Sequence, residues 1–412
     1  MKILVLSQYF YPENFRINDL AIGLKAKGHE IVVLTGMPNY PMGEIFEGYS
    51  WPKNRNDTWQ GIKVFRVPLY RRRNSRGRHL ILNYLSFVVS AILIGPFLLK
   101  GQDFDAIFVP NYSPATVGIP GAFFRWTKNA KMVFWVQDLW PKSLSATGTI
   151  KHPFLLGLVG KMMRWIYSRS DVIGMQSTAF KSEILAWGAE EKRLRYFPNW
   201  AESLFSKELE IEPLLALESD PFETKDFKVV FAGNLGAAQS LKTIVDAAFE
   251  LSNKPIKWIM IGDGRNASTM KDYIASSGVE QKFEFLGNRP VEHMPYYYER
   301  ADAMLVTLGP DEIFSATIPG KVQSYMACGK PILGALNGEG ARVINESGSG
   351  IAVGSEDSIG LATAVEDLRC SSVGQLAKIG ENSRACYEEQ FDRGKIIDSI
   401  ETSLMQAVEL SK

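Results

Sequence analysis

The chain has 412 residues, 46% of them hydrophobic, and a formal net charge of +1. This length is comfortable for two domains of about 200 residues each, and the balanced charge gives no sign of a nucleic-acid partner. The three cysteines, Cys328, Cys370 and Cys386, are scattered. We therefore expect neither a disulfide framework nor a cysteine-bound metal, which fits a reducing cytoplasm. The first apolar run is too short for the core of a signal peptide.

Buried parallel strands are predicted where short apolar runs end in loops. In the first half these runs lie at 2–7, 31–35, 62–67, 105–110, 131–136, 171–175 and 193–198. Apolar residues at helical spacing predict a helix over 17–28, which Gly28 ends. Strands alternating with helices indicate a parallel sheet with helices on both faces.

Residues 80–99 form an uncharged apolar run, LILNYLSFVVSAILIGPFLL. It follows a cluster of five arginines, namely Arg71, Arg72, Arg73, Arg76 and Arg78. Such a run could cross a bilayer, dock on its surface, or form a buried helix with Asn83, Ser86 and Ser90 turned toward partners. Strand patterns of one sheet lie on both sides of the run, which disfavours a crossing. We expect peripheral contact through 71–99 with the inner face of the cytoplasmic membrane.

The strand pattern fails in an acidic stretch around 202–226 and then resumes. The second series of strands lies at 228–232, 257–262, 282–286, 303–306 and 331–334, with helices at 241–251 and 321–328. We predict an N-terminal domain at 1–205, a linker at 206–226, a C-terminal domain at 227–385, and a helical tail at 386–412 that packs back toward the N-terminal domain. Two Rossmann-like domains facing each other across a cleft would bind ligands at the carboxyl ends of their strands.

Two loops of the first domain carry candidate acceptor-side residues. The loop at 8–16 lacks the G-x-G-x-x-G pattern, which disfavours a nicotinamide or flavin enzyme, and it offers Tyr9 and Arg16. The second loop contains Asp138 and Trp140, a carboxylate and an aromatic ring suited to a sugar hydroxyl and a sugar face. The alternatives are an ordinary surface loop and a buried aromatic cluster.

Two glycine-containing turns of the second domain are candidates for donor binding. The first contains Gly233, Asn234, Gly236 and Gln239, and the second contains Gly262, Asp263 and Gly264. Each follows a predicted strand, so a phosphate could approach the backbone and the next helix N-terminus. The alternative is a tight turn that needs glycine only for its backbone angles.

The segment 317–333 has the strongest donor-site pattern. Pro319 and Gly320 open a predicted helix, and Lys321 adds a positive charge in its first turn. This charge could stabilise a leaving diphosphate; the alternative is a well-capped structural helix. Asp103 and Asp105 match a D-x-D pattern but precede a strand, at the wrong end for a ligand. We therefore expect no metal or other cofactor.

Four segments together resemble the retaining glycosyltransferases of family 4, which have the GT-B fold. They are KILVLSQYF at 2–10, the stretch 20–34, FPN at 197–199 and MACGKPI at 326–332. Within the family, SQYFYPEN at 7–14, VQDLWP at 136–141 and the stretch 319–321 look like segments of bacterial transferases of O-antigen, lipopolysaccharide and exopolysaccharide, such as N-acetyl-L-fucosaminyltransferases. The resemblance implies an enzyme with the GT-B fold that transfers a hexosyl group from a nucleotide-sugar substrate with retention of anomeric configuration.

The chain also departs from the family pattern at the donor site. The family's two glutamates fall on Ala316 and Ser324, and its arginine and lysine after the first strand of the second domain fall on Asn234 and Gln239. As replacements we suggest Lys321 and Arg342 for the cations and Glu339 for a carboxylate.

The sequence thus predicts transfer of a sugar, from a UDP-linked donor such as UDP-N-acetyl-L-fucosamine, to a lipid-linked or oligosaccharide acceptor. Asp138 and Lys321 are the predicted catalytic residues. Two alternatives stay open at this point: a UDP-sugar 2-epimerase of the same fold, and a non-catalytic glycan-binding protein.

Overall fold

The computed structural model describes residues 1–72, 77–206 and 220–409. The chain divides into two compact units. Unit 1 comprises Met1–Phe197 and Gly394–Lys412, and unit 2 comprises Pro198–Arg393. Each unit is built around its own sheet, with eight strands in unit 1 and six in unit 2.

The sheet of unit 1 is parallel except at one edge. Its strands are β1 (Lys2–Leu6), β2 (Glu30–Gly36), β3 (Asn56–Trp59), β4 (Ile62–Val67), β5 (Ala106–Asn111), β6 (Lys131–Val136), β7 (Val172–Met175) and β8 (Leu194–Tyr196). Their order is β3-β4-β2-β1-β5-β6-β7-β8. The central strands were predictable because burial on both faces demands continuous apolar sequence. The polar strand β3 was missed, since it is half-exposed and lies at the edge of the sheet, where it pairs in antiparallel fashion with β4.

Helices connect these strands and cover the sheet. They are α1 (Arg16–Ala26), α2 (Gly77–Leu93), α3 (Gly95–Leu98), α4 (Gly118–Thr127), α5 (Lys142–Ala146), α6 (Pro153–Arg169) and α7 (Phe180–Ala186). The helix α4 packs against both α2 and α6. Because the strands are parallel, the loops that follow β1, β2, β5 and β6 meet at one edge of the sheet.

The apolar run at 80–99 is two helices instead of one. The helix α2 ends at Leu93, and the short α3 begins at Gly95 with Pro96 in its first turn. One face of α2 is buried on unit 1 through Asn83, Phe87, Val88 and Ala91. In the part of the chain that the structure describes, no helix is both long and apolar enough to cross a membrane.

Unit 2 contains an entirely parallel sheet. Its strands are β9 (Phe227–Ala232), β10 (Ile256–Ile261), β11 (Phe283–Gly287), β12 (Ala303–Thr307), β13 (Ile332–Ala335) and β14 (Gly350–Val353). Their order is β11-β10-β9-β12-β13-β14. The short edge strand β14 was not predicted, because it is only partly buried and begins with a glycine, Gly350, two residues after Gly348.

The helices of unit 2 cover both faces of this sheet. They are α8 (Ser203–Ser206), α9 (Leu241–Glu250), α10 (Ala267–Ser276), α11 (Met294–Glu299), α12 (Glu312–Ala316), α13 (Gly320–Ala327), α14 (Glu339–Glu346), α15 (Ser358–Cys370) and α16 (Val373–Cys386). A hydrophobic core lies on each face of this sheet, and alternate residues of β9 point into the two cores. Val230 packs in the same core as Tyr325, and Val229 packs in the same core as Ile244.

The boundaries of the units differ from the predicted ones for reasons of packing. Ala201, Phe205 and Phe222 are buried in the core of unit 2, so this unit begins at Pro198 rather than at 227. Most of the expected linker, residues 207–219, lies outside the described residues.

The C-terminal helix begins later than the expected tail at 386. The helix α16 passes into a π-helical turn, Tyr387–Phe391, whose two end residues are buried in unit 2. The last helix, α17 (Arg393–Glu409), belongs largely to unit 1. There Glu401 pairs with His29 at 2.7 Å and with Lys27 at 3.1 Å.

Candidate active site

Two loops at the carboxyl edge of the unit 2 sheet pack backbone against backbone. The Gly233 N–H donates to the carbonyl of Ile261 at 2.8 Å, and the Leu235 N–H donates to that of Asp263 at 2.9 Å. A Cβ on Gly262 would lie 2.1 Å from the Gly233 carbonyl oxygen, and one on Gly264 would lie 2.5 Å from the Leu235 carbonyl oxygen. These two glycines are therefore required for packing, whatever they bind.

Lys321 lies against the loop that follows β9. Its Nζ donates to Oε1 of Gln239 at 2.9 Å and lies 3.6 Å from the ring centroid of Phe231. A Cβ on Gly233 would come within 2.6 Å of Lys321 Cε, so this glycine makes room for the lysine. Burial lowers the pKa of Lys321 from 10.5 to about 7. Among the residues that the structure describes, no carboxylate forms an ion pair with it.

The N-termini of α13 and α14 lie side by side near this lysine. A Cβ on Gly340 would lie 3.0 Å from Pro319 Cδ, and one on Gly338 would lie 2.0 Å from the Ser315 carbonyl oxygen. Within the described residues, no side chain caps either N-terminus. The first N–H groups of a helix have no intrahelical partner, and together with the helix dipole they favour a phosphate.

Arg342 and Glu339 pair with each other on α14. The guanidinium donates to Glu339 Oε2 at 2.9 and 2.7 Å and to Glu346 Oε2 at 2.5 Å. This pairing neutralises Arg342, whereas Lys321 has no such partner among the described residues. The suggested roles of Arg342 and Glu339 at the donor stay predictions.

In unit 1, Asp138 follows β6 and is oriented by several donors. Its Oδ2 accepts a hydrogen bond from Trp140 Nε1 at 3.2 Å, and the neighbouring donors of Ser113, Ser143 and Leu139 also act to lower its pKa. Burial outweighs these hydrogen bonds and raises the pKa of Asp138. The raised pKa makes this carboxylate a stronger base than an exposed aspartate.

Tyr84 of α2 joins the predicted acceptor-side residues. Its ring lies 6.3 Å from that of Trp140, and Ser113 and Tyr9 oppose the rise in the pKa of Tyr84 that burial causes. Tyr9 is buried, with its ring stacked 5.0 Å from that of Phe15. The structure thus brings Tyr9, Asp138 and Trp140 together through a residue that sequence reasoning missed.

Arg16 lies at the beginning of α1. It is close to Tyr112 and opposes the rise in the pKa of that tyrosine caused by burial. Phe15 packs between Tyr112 and Tyr9, since its ring lies 5.3 Å from that of Tyr112 and 5.0 Å from that of Tyr9. Acceptor binding by Arg16 stays a prediction.

A buried carboxylate, Glu13, fastens two loops of this edge together. It accepts backbone N–H groups from Tyr40 at 2.7 Å, Asn39 at 2.8 Å and Phe10 at 3.3 Å. Burial raises the pKa of Glu13 to about 7. The loops after β1 and β2 are therefore held in place by one side chain, which the sequence alone did not indicate.

The structure also locates the D-x-D pattern. Asp105 precedes β5 and accepts the backbone N–H of Lys2 at 2.7 Å, at the amino end of the strands. Across the described ranges, no group of three or more potential ligands (His, Cys, Asp or Glu) could hold a metal ion. Activity without a metal stays a prediction.

Two family models match successive parts of the chain and together span most of it. The model for a glycosyl transferase 4-like domain matches residues 14–200, and that for glycosyl transferases group 1 matches residues 226–370.

The chain is also similar to known glycosyltransferases over most of its length. "Putative colanic acid biosynthesis glycosyl transferase WcaI" of Escherichia coli (strain K12) is 24% identical over 349 residues, which cover 80% of this chain and 82% of that protein. The structure of Anabaena HepE in complex with UDP aligns over 98% of this chain and 100% of its own, with 17% identity and a TM-score of 0.68. The lipopolysaccharide outer core galactosyltransferase WaaB aligns over 98% and 99%, with 13% identity and a TM-score of 0.66. The chain therefore belongs to the family 4 glycosyltransferases and has the GT-B fold.

Proposed function

We propose that this glycosyltransferase moves a hexosyl group from a UDP-sugar to a lipid-linked acceptor, with retention of anomeric configuration. The observation that carries the proposal is the environment of Lys321. A cation with no carboxylate partner among the described residues lies beside Gly233 and in the first turn of α13, next to the N-terminus of α14. This is the chemistry that a nucleoside diphosphate requires.

The same residues would assist departure of the diphosphate. During transfer the bond between the anomeric carbon and the diphosphate breaks, and a bond from that carbon to an acceptor hydroxyl oxygen forms. Negative charge grows on the leaving diphosphate, where Lys321 and the helix N–H groups stabilise it. The complex of Anabaena HepE with UDP supports a uridine donor.

Asp138 would act on the acceptor. The attacking hydroxyl must lose its proton, and Asp138 is a carboxylate whose pKa is raised by burial. The adjacent Trp140 and Tyr84 offer aromatic surface for a sugar ring. Unit 1 would thus bind and orient the acceptor while unit 2 binds the donor.

The outer faces of α2 and α6 support a lipid-linked acceptor and peripheral membrane contact. Both helices expose large apolar side chains: Ile81, Leu82, Leu85, Val89 and Leu93 on α2, and Phe154, Leu155, Leu158 and Trp165 on α6. Cations accompany them, including exposed Arg78 before the first set and Lys161 and Arg164 within α6. Apolar burial in the acyl boundary and attraction to anionic lipids would add to each other.

Relatives indicate the biological setting. WcaI is named for colanic acid biosynthesis and WaaB for the lipopolysaccharide outer core. We therefore propose that this protein acts in the synthesis of a bacterial surface polysaccharide, and the exposed apolar side chains of α2 and α6 support a site of action at the inner face of the cytoplasmic membrane. UDP-N-acetyl-L-fucosamine is the donor suggested by the sequence resemblance.

The test is to incubate the purified protein with extracted membrane lipids and a panel of nucleotide sugars. Mass spectrometry of the lipids should show one added hexosyl residue from a UDP-sugar, and NMR should show that the donor's anomeric configuration is retained. Conversion of a UDP-N-acetylhexosamine without any acceptor would contradict transfer and indicate an epimerase. Donor binding without transfer or hydrolysis would indicate a non-catalytic protein.

A further inference from the structure

Arg72 differs from its neighbour in the basic cluster. Arg71 is exposed, with 58% of its side chain accessible, and pairs with Glu44 at 3.0 Å. The guanidinium of Arg72 instead lies 5.0 Å from the ring centroid of Tyr40 and 5.9 Å from that of Tyr9. The sequence assigned both arginines to the membrane surface, whereas the structure turns Arg72 toward the acceptor-side residues. Arg73 and Arg76 lie outside the described residues.

The charge of Arg72 is poorly compensated. In residues 1–72, 77–206 and 220–409 no carboxylate lies within ion-pair distance of it, and its buried Nε has no hydrogen-bond partner there. The charge of Arg72 does oppose the rise in the pKa of Glu13, but that carboxylate already accepts three backbone N–H groups. A guanidinium enclosed by aromatic rings and lacking a paired anion is suited to bind a phosphate, because its planar fork matches phosphate oxygens.

Tyr84 connects this cation to the candidate base. The ring of Tyr84 lies 6.3 Å from that of Trp140, whose Nε1 donates to Asp138 Oδ2 at 3.2 Å, and the charge of Arg72 opposes the rise in the pKa of Tyr84 that burial causes. Arg72 Nη1 in turn lies 3.4 Å from the Tyr9 hydroxyl oxygen. A phosphate bound at Arg72 would therefore lie beside Tyr9, which shares the carboxyl edge of the unit 1 sheet with Asp138.

The helix that carries Tyr84 also exposes apolar residues. On α2, Asn83 points into the unit and accepts a hydrogen bond from Gln8 at 2.7 Å, while Ile81, Leu82 and Leu85 are about half-exposed. Unit 1 thus offers, around one helix, an apolar outer face, a cation and a carboxylate. A phosphate-linked glycolipid carries the matching groups in the same order: an acyl or prenyl chain for the apolar face, a phosphate for the cation and a sugar for the carboxylate.

We propose that Arg72 binds the phosphate that links the acceptor sugar to its lipid, and so selects acceptors that carry a phosphate or diphosphate. This inference rests on the proposed function, because it concerns the acceptor of that reaction. It assigns Arg72 to the acceptor, as opposed to a phospholipid headgroup or the diphosphate of the donor.

The test compares Arg72→Gln with the matched control Arg71→Gln on two acceptors with the same sugar. One acceptor is a prenyl diphosphate-linked sugar, and the other is its octyl glycoside, which lacks phosphate. Arg72→Gln should raise the KM for the first roughly 10- to 100-fold and leave the KM values for the octyl glycoside and the donor nearly unchanged. Arg72→Lys should restore part of the effect, and Arg71→Gln should show none of it.

Each other outcome overturns the proposal in a recognisable way. Equal losses on both acceptors would make Arg72 a structural residue, and a raised KM for the donor would assign it to the donor's diphosphate. Weaker binding to anionic vesicles by Arg72→Gln than by Arg71→Gln would assign it to phospholipid. Thermal unfolding curves identify a misfolded variant, in which case Arg72→Lys provides the comparison. If the wild-type protein transfers sugar to neither acceptor, the proposed function itself fails.

Discussion

Replacing Lys321 with methionine should stabilise the empty protein and impair catalysis. Methionine has a similar length, and it would occupy the space beside Gly233 and Phe231 without a charge. The pKa of Lys321 is lowered from 10.5 to about 7 because burial disfavours the charged amine. The wild-type protein therefore carries an electrostatic cost at this position that a bound diphosphate would relieve.

The sign and size of this cost follow from the two pKa values. Between pH 7 and 10.5 the unfolded chain binds more protons at this site than the folded protein, so the free energy of unfolding rises with pH across that window. Below pH 7 the full cost is present, and the two pKa values correspond to at most about 5 kcal/mol. We expect methionine to recover about 1 to 4 kcal/mol near neutral pH, as when buried charges are replaced by apolar side chains.

Catalysis should change in the opposite direction. Loss of one donor that stabilises developing charge typically lowers turnover by about 10²-fold or more. UDP should raise the melting temperature of the wild-type protein more than that of Lys321→Met, because only the lysine gains an ionic partner from the ligand.

The assay is chemical unfolding at pH 6.5 and 9.5, with and without UDP, beside turnover measurements. The stability gain of Lys321→Met should be largest at pH 6.5 and shrink at pH 9.5, where the wild-type amine is neutral. Lys242→Met is the control, since Lys242 is exposed on α9 and pairs with Asp246 at 2.6 Å. A variant that is less stable than wild type at both pH values, or that turns over normally, would refute the reasoning.

Three further predictions concern the acceptor, the metal and the membrane. Asp138→Asn should lower transfer about 10²-fold or more while calorimetry shows unchanged donor affinity; a collapse of donor affinity would contradict the assignment to unit 1. Activity should persist in EDTA, and a loss that Mg²⁺ or Mn²⁺ restores would show that the reaction needs a metal. Replacing Leu85 and Val89 with serine should weaken binding to anionic vesicles, because both side chains are about half-exposed, whereas Phe87→Ser should lower stability instead, because Phe87 is buried. Vesicle binding by the double variant that equals wild type would exclude α2 from the membrane contact.

The sequence predicted most of the sheets, because buried parallel strands must be apolar along their whole length. It missed β3 and β14, which lie at sheet edges and bury little. It also placed residues 198–205 in the wrong domain. Their affiliation depends on which core Ala201 and Phe205 enter, and periodicity carries no information on that choice.

Candidate residues that lie directly after strands were predictable, since the topology brings those loops to one edge. Asp138 and Tyr9 are of this kind, whereas Lys321 was predicted from its place in the first turn of a helix. Tyr84 and Glu13 were missed for complementary reasons. Tyr84 lies inside a helix that looked uniformly apolar, and Glu13 acts through backbone N–H groups of a loop that is distant in sequence.

The segment from Arg71 to Leu93 shows why composition alone could not separate membrane contact from substrate binding. Along α2, Leu85 and Phe87 are equally apolar, but the helical rotation between them exposes one and buries the other. The adjacent Arg71 and Arg72 have the same charge, yet one pairs with Glu44 at the surface and the other is enclosed by tyrosines. Only the direction in which each side chain points in the folded protein distinguishes the two members of each pair. We therefore propose two separate roles within this one segment: membrane contact for the exposed side chains of α2, and phosphate binding for Arg72.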